Sequence, residues 1–156
     1  MEKIGLIAGN GRFPILFAKG AQANKISVIA VGIEGETSPE IKQYVEQLHW
    51  IGVAQIGKLI KIFKREQISR AVMAGGLTKT NMFSSWRNLR FLPDLRTINL
   101  WYKNVKNRDD HSLLGAVADE LLKDGIVLQN STLYVPQLLA QKGILTKKQP
   151  SEKEME

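Results

Sequence analysis

The sequence predicts an α/β fold, an open and mostly parallel sheet with helices on both faces, from three features of its first half. Short apolar runs alternate with stretches of helical composition, the runs carry no polar face, and glycine turns follow the first run and the fourth. Strands that are apolar on both sides belong to parallel sheets whose right-handed crossovers cover both faces. The layering expected is therefore Rossmann-like.

Residues 3–8 read as a buried strand, followed by a glycine turn and a helix over 14–23 that Pro14 opens at its first position. Residues 26–31 form a second β-branched run. Ser38 and Pro39 then cap an amphipathic stretch in which Ile41, Tyr44, Val45 and Leu48 share one face at helical spacing. A short strand near 49–51 leads into a helix over about 55–67, with Ile56, Leu59, Ile60 and Phe63 inward and Lys58, Lys61, Lys64 and Arg65 over its remaining surface. Residues 70–74 make a fourth strand ending at Gly75 and Gly76, and 77–108 are less regular. Residues 109–123 form a strong helix with Leu113, Leu114, Val117, Leu121 and Leu122 as its apolar set, and Gly125 ends it. A last strand over 126–129 and a short helix over 134–141 complete one domain, 1–146.

Composition bounds the function. A chain of 156 residues, 44% hydrophobic and 24% charged, suits one ordinary core. With no cysteine, disulfides, thiolate metal sites and cysteine nucleophiles are excluded together, and a cytoplasmic location fits best. No apolar run approaches the roughly 18 residues that cross a bilayer. The formal charge of +7 favours anionic partners, and the last ten residues, with three Lys and three Glu, contribute nothing to it.

Gly9-Asn10-Gly11-Arg12 directly follows the first strand, where glycine lets the backbone approach a phosphate and the next helix offers its N–H groups to an anion. A purely structural turn explains the same residues. Pro14 stands where a dinucleotide fingerprint places its third glycine, which counts against NAD. Glu34, at the end of the second strand, is a candidate acceptor for a ribose hydroxyl, or simply a surface acid beside Gly35. Gly75-Gly76-Leu77-Thr78-Lys79 lies on the carboxyl edge where open α/β sheets place ligands, so Thr78 and Lys79 are phosphate-binding candidates, or a turn with a solvated lysine.

Between Phe83 and Arg108 stand six basic residues, one acid and five aromatics. Such interleaving suits nucleic-acid stacking, an anionic membrane surface or a lid over an amphipathic phosphate substrate, and equally a helical pair with core aromatics and a solvated basic face. Asp109 and Asp110 open the strong helix. Capping explains one aspartate; two adjacent carboxylates could also hold magnesium, which takes oxygen ligands and substrate phosphate. His49 and His111, the only histidines, form no transition-metal constellation, and Ser84, Ser85 and Ser112 lack a nucleophile-elbow setting.

Taken in order, Gly5-Leu-Ile-Ala-Gly9-x-Gly11-x-x-Pro14, Gln55-Ile-Gly57-Lys58, Val72-Met-Ala-Gly75-Gly76 and Asp109-Asp110-x-Leu-Leu114 make a pattern. It resembles the amino-terminal domain of the LpxI family, the UDP-2,3-diacylglucosamine pyrophosphatases of lipid A biosynthesis. The likeness runs from about Lys3 to Thr146, and Arg108 replaces the glycine that usually precedes the paired aspartates. What the resemblance implies is magnesium-dependent hydrolysis of UDP-2,3-diacylglucosamine, by water attack on the α-phosphorus, to UMP and lipid X. Gly9, Asn10, Gly11, Arg12, Gly75, Gly76, Thr78 and Lys79 would then face the nucleotide or its phosphates, and Asp109 and Asp110 would orient metal or water. No residue of this domain is assigned as general base.

The resemblance further implies a second, carboxyl-terminal domain that shares the lipid and catalytic site. Residues 147–156 are accordingly expected to be a disordered tail or the start of a linker to it, in a chain that folds and binds part of the substrate without turnover. Peripheral contact with an anionic inner-membrane surface is expected, nucleic acid is not, and homo-oligomers stay open. The competing class is a nucleotide-binding or regulatory module without chemistry; an NAD-dependent oxidoreductase and a nucleic-acid binder rank below it.

Overall fold

A computed structural model of the protein describes residues 2–78, 92–104 and 110–139. Within them a five-stranded sheet has the order β3-β2-β1-β4-β5. Its strands are β1 (Lys3–Ala8), β2 (Ser27–Ile33), β3 (Gln47–Ile51), β4 (Arg70–Ala74) and β5 (Val127–Gln129). Every neighbouring pair is parallel, and β2, in the interior of the sheet, is buried at all seven positions. The strand order reverses between β1 and β4, one of which leads outward to β3 and the other to β5. Open α/β sheets leave their ligand crevice outside the carboxyl ends of the strands at such a reversal.

Successive side chains of a strand point to opposite faces, so each face of this sheet has its own core. On one, Ile4, Leu6, Ala8, Val28, Ala30, Val72 and Ala74 pack against Ile15, Phe17, Ala18 and Ala21 of α1 (Phe13–Ala23). The Phe17 ring lies 5.6 Å from that of Tyr134, in the segment that crosses α1. On the other face Ile7, Ile29, Val31 and Ile51 meet Leu59, Ile60 and Phe63 of α2 (Ile56–Arg65), with Leu100 of α3 (Leu95–Asn104) and Ala116 and Leu121 of α4 (Asp110–Leu122). Phe17 and Phe63 are wholly buried, each contributing about 1.5–3 kcal/mol relative to exposure.

Three expectations are corrected. The stretch after Ser38 is a 3-10 helix only over Pro39–Tyr44; Val45 is already extended, and Leu48 belongs to β3. The chain straightens because Glu46 N–H must pair with Val28 O to start the edge strand. The irregular region contains α3, which the basic and aromatic composition masks. In α4, Leu114 and Leu122 are 52% and 57% exposed, whereas Ala116, Glu120 and Leu121 face inward. Glu120 on this inward side, with Asp124 just past the helix, joins a partly buried ion-pair network described below.

Candidate functional site

The crossovers after β1, β2 and β4 meet at the carboxyl edge of the sheet. Beyond the last β1–β4 pair, Ala8 with Ala74, the two loops stay together. Gly9 N–H donates to Ala74 O and Asn10 N–H to Gly76 O, both at 2.8 Å, and Asn10 and Gly76 form an isolated antiparallel bridge. A Cβ on Gly9 would run into the Gly76 carbonyl, and one on Gly75 (φ +83°) into the carbonyl of Asn10 and, at 2.9 Å, the ring of Pro14. Contact between two backbones is thus reason enough for glycine at both positions. The N–H groups of Gly9 and Asn10 are consumed between the loops. Gly11 (φ +85°) and Arg12 are exposed, and the first turn of α1 has neither a side-chain cap nor an acid.

Side chains close the edge. Asn10 Oδ1 accepts Gly76 N–H at 3.2 Å, and Asn10 Nδ2 donates to Thr78 Oγ1 at 3.0 Å and to Glu36 Oε2 at 2.9 Å. Thr78 donates its hydroxyl to Glu36 Oε2 at 2.9 Å and its N–H to Glu36 Oε1 at 3.1 Å. Glu36 was not among the residues the sequence singled out; Glu34, nearer the strand, is exposed. The turn explains the difference. Glu36 N–H and Thr37 N–H both donate to Ile33 O at 3.0 Å, and buried Thr37 accepts Ile33 N–H at 2.8 Å while donating to Ala8 O at 2.5 Å. The hydroxyl of Thr37 straps the turn across the end of β1 and carries Glu36 over the crevice.

Elsewhere the anticipated residues have structural partners. The start of α2 is closed by Asp94, whose Oδ2 accepts Lys58 N–H at 3.1 Å, and by Thr97, whose hydroxyl accepts Ile56 N–H at 3.0 Å. Lys58 Nζ donates to Trp50 O at 3.0 Å. Arg96, one of the six basic residues of the aromatic segment, is bound to Glu120 and Asp124, which also pair with Lys123 and Lys64. These contacts hold both carboxylates below their ordinary range, Lys123 mattering most for Glu120 and Lys64 for Asp124, and raise the Arg96 guanidinium through Glu120 first. Half-buried His49 is pushed below the ordinary imidazole value, by desolvation first and then by Arg65, against the pull of Glu66.

Lys79, Asp109 and the segment 83–91 lie outside the described residues, and Asp110 is described only as the first residue of α4. Among the described residues no group of three or more His, Asp or Glu could hold a metal ion, and no helix is long and apolar enough to cross a membrane.

The model of the LpxI N-terminal domain family matches residues 3–138, most of the chain. The chain belongs to the LpxI family. The UDP-2,3-diacylglucosamine pyrophosphatase LpxI of Caulobacter vibrioides is 24% identical to it over 158 residues, 99% of this chain and 53% of that protein. This chain therefore spans about half the length of that curated relative. Among solved structures, the biotin carboxylase subunit of pyruvate carboxylase superposes with a TM-score of 0.50 at 12% identity, over 82% of this chain and 22% of that one, a likeness of fold.

The ordered LpxI motifs have separate physical reasons in this chain. Gly5 lies beneath Phe63, where a Cβ would stand 2.7 Å from the ring, and Gly57 lies beneath Asp94. Gly9, Gly75 and Pro14 form the loop contact at the strand reversal. Among the described motif residues, this last group is the one at the strand reversal.

Proposed function

We propose that this LpxI-family chain supplies the nucleotide-facing half of a site that hydrolyses the diphosphate of UDP-2,3-diacylglucosamine, releasing UMP and lipid X. The observation that carries the reading is the gathering of the crossovers after β1, β2 and β4 at the strand reversal, in a chain that matches this family over residues 3–138. Gly11 and Arg12, at the uncapped start of α1, would approach the phosphates, since a helix N-terminus and a guanidinium both favour negative charge. Gly75 and Gly76 shape the facing loop, and Lys79 would extend it toward the same charge. Adjacent carboxylates are the hard oxygen donors magnesium takes, so Asp109 and Asp110 would hold that ion, which neutralises diphosphate charge when bound.

The basic and aromatic segment around α3 would face the lipid or an anionic membrane surface, except for Arg96, which is committed to Glu120 and Asp124.

Calorimetric titration of the chain with UMP, UDP and NAD, with and without magnesium, tests the reading. Binding of the uridine nucleotides without NAD is expected. NAD binding alone, or no nucleotide binding under either condition, would overturn it. Hydrolysis of UDP-2,3-diacylglucosamine in oxygen-labelled water, followed by UMP release, separates an enzyme from a binding module, and the labelled product identifies the phosphorus that water attacks.

A further inference from the structure

Three hydrogen-bond donors from two crossovers converge on a carboxylate supplied by a third. Asn10 Nδ2, Thr78 Oγ1 and Thr78 N–H all donate to Glu36, at 2.9, 2.9 and 3.1 Å. The carboxylate is only partly exposed, and its turn is pinned to Ile33 and, through Thr37, to the end of β1. It stands where the loops after β1 and β4 meet.

A phosphate entering this cluster would find the donors it needs already on a carboxylate, and a second anion beside the first is repelled. A hydroxyl fits instead. An ionised carboxyl accepts about four hydrogen bonds, and three donors reach Glu36 among the described residues. One acceptor direction is left for an incoming O–H. An acid just past the second strand, facing the loop after the first, is also where open α/β sheets hold a ribose.

Resting on the reading of this edge as a uridine-nucleotide site, we propose that Glu36 selects the ribose by accepting one of its hydroxyls. Asn10 and Thr78 are positioning residues that hold the carboxylate, and the phosphates lie beyond it, toward Gly11 and Arg12. In this proposal Asn10 and Thr78 act through Glu36 rather than directly on a phosphate.

The test is calorimetric titration of the chain with UMP, 2′-deoxy-UMP and 2′,3′-dideoxy-UMP, repeated with Glu36→Gln. The native chain is expected to bind 2′,3′-dideoxy-UMP at least about tenfold more weakly than UMP, as loss of a hydrogen bond to a charged group requires. In Glu36→Gln that gap should shrink to under about threefold, with affinity for the dideoxy compound changed by less than about twofold. A glutamine oxygen can still accept Thr78 N–H, and the native series needs no variant, so a folding defect in Glu36→Gln leaves it decisive. Equal native affinities, or an undiminished gap in Glu36→Gln, overturns the proposal while leaving uridine binding intact. Failure of the native chain to bind any of the three overturns the functional reading and this one together.

Discussion

Asp94 and Lys58 are 36 residues apart, and the carboxylate of the first caps the helix of the second: Asp94 Oδ2 accepts Lys58 N–H while its Oδ1 accepts Thr97 N–H at the start of α3. One side chain terminates two helices. Gly57 lies directly beneath it, where a Cβ would stand 2.8 Å from Oδ2.

Asp94→Ala is accordingly expected to cost about 1–2 kcal/mol for each cap lost, measured by chemical denaturation. Gly57→Ala should destabilise as well, although alanine exceeds glycine in helix propensity by about 1 kcal/mol. Combined with Asp94→Ala, the alanine at 57 should turn neutral or stabilising. An additive double mutant would show that the two residues do not interact.

Gly9→Ala and Gly11→Ala separate crowding from conformation. The first forces a methyl group into the Gly76 carbonyl and should cost about 1–3 kcal/mol while prising the loops apart. The second meets nothing within 4 Å but sits at φ +85°, so only the left-handed strain of roughly 1–2 kcal/mol applies. Equal losses in thermal unfolding, with unchanged amide exchange at Asn10 in both, would count against the loop contact.

His49 sets one pH window. Its folded value lies below the ordinary 6.5 because burial favours the neutral ring. The unfolded chain then binds more protons over the interval between the two values, so stability falls as pH drops below about 6.5 and levels off beneath the folded value. His49→Phe should flatten that slope in denaturation curves recorded across the interval.

Glu120 and Asp124 set a second window at lower pH. Their folded values lie below the ordinary 4.5 and 3.8, so their contribution is fully present above those values and is lost as pH falls through the folded ones. Arg96→Met should shrink this acid-dependent loss without altering the slope near pH 6. An unchanged acid limb would mean that Lys123 and Lys64 suffice to hold both carboxylates.

The central strands β1 and β2 were legible because each is a short run of buried apolar residues, a signal that survives without knowledge of neighbours. Leu48 misled for the converse reason: its spacing from Ile41 and Tyr44 fits a helix face as well as a strand, and only the pairing of Glu46 with Val28 decides. Helix α3 escaped notice since, among its described side chains, the buried ones are Thr97 and Leu100, with Arg96 held by acids a full crossover away. At the edge, the glycine loops were visible from their place after strands. Glu36 was not, because its position depends on the hydroxyl of Thr37 reaching back to Ala8, a contact that no local pattern encodes.

Asn10 and Gly76, joined across the strand reversal, are 66 residues apart in the chain. The partners that join β1 to β4, such as Gly5 and Ala71, are just as far apart, so this edge forms only together with the centre of the sheet. The groups that would greet a ligand are thus absent from partly folded chains emerging during synthesis. Occupancy of the edge would therefore report completed folding, and a nucleotide bound there would draw the folding equilibrium toward the finished sheet by mass action.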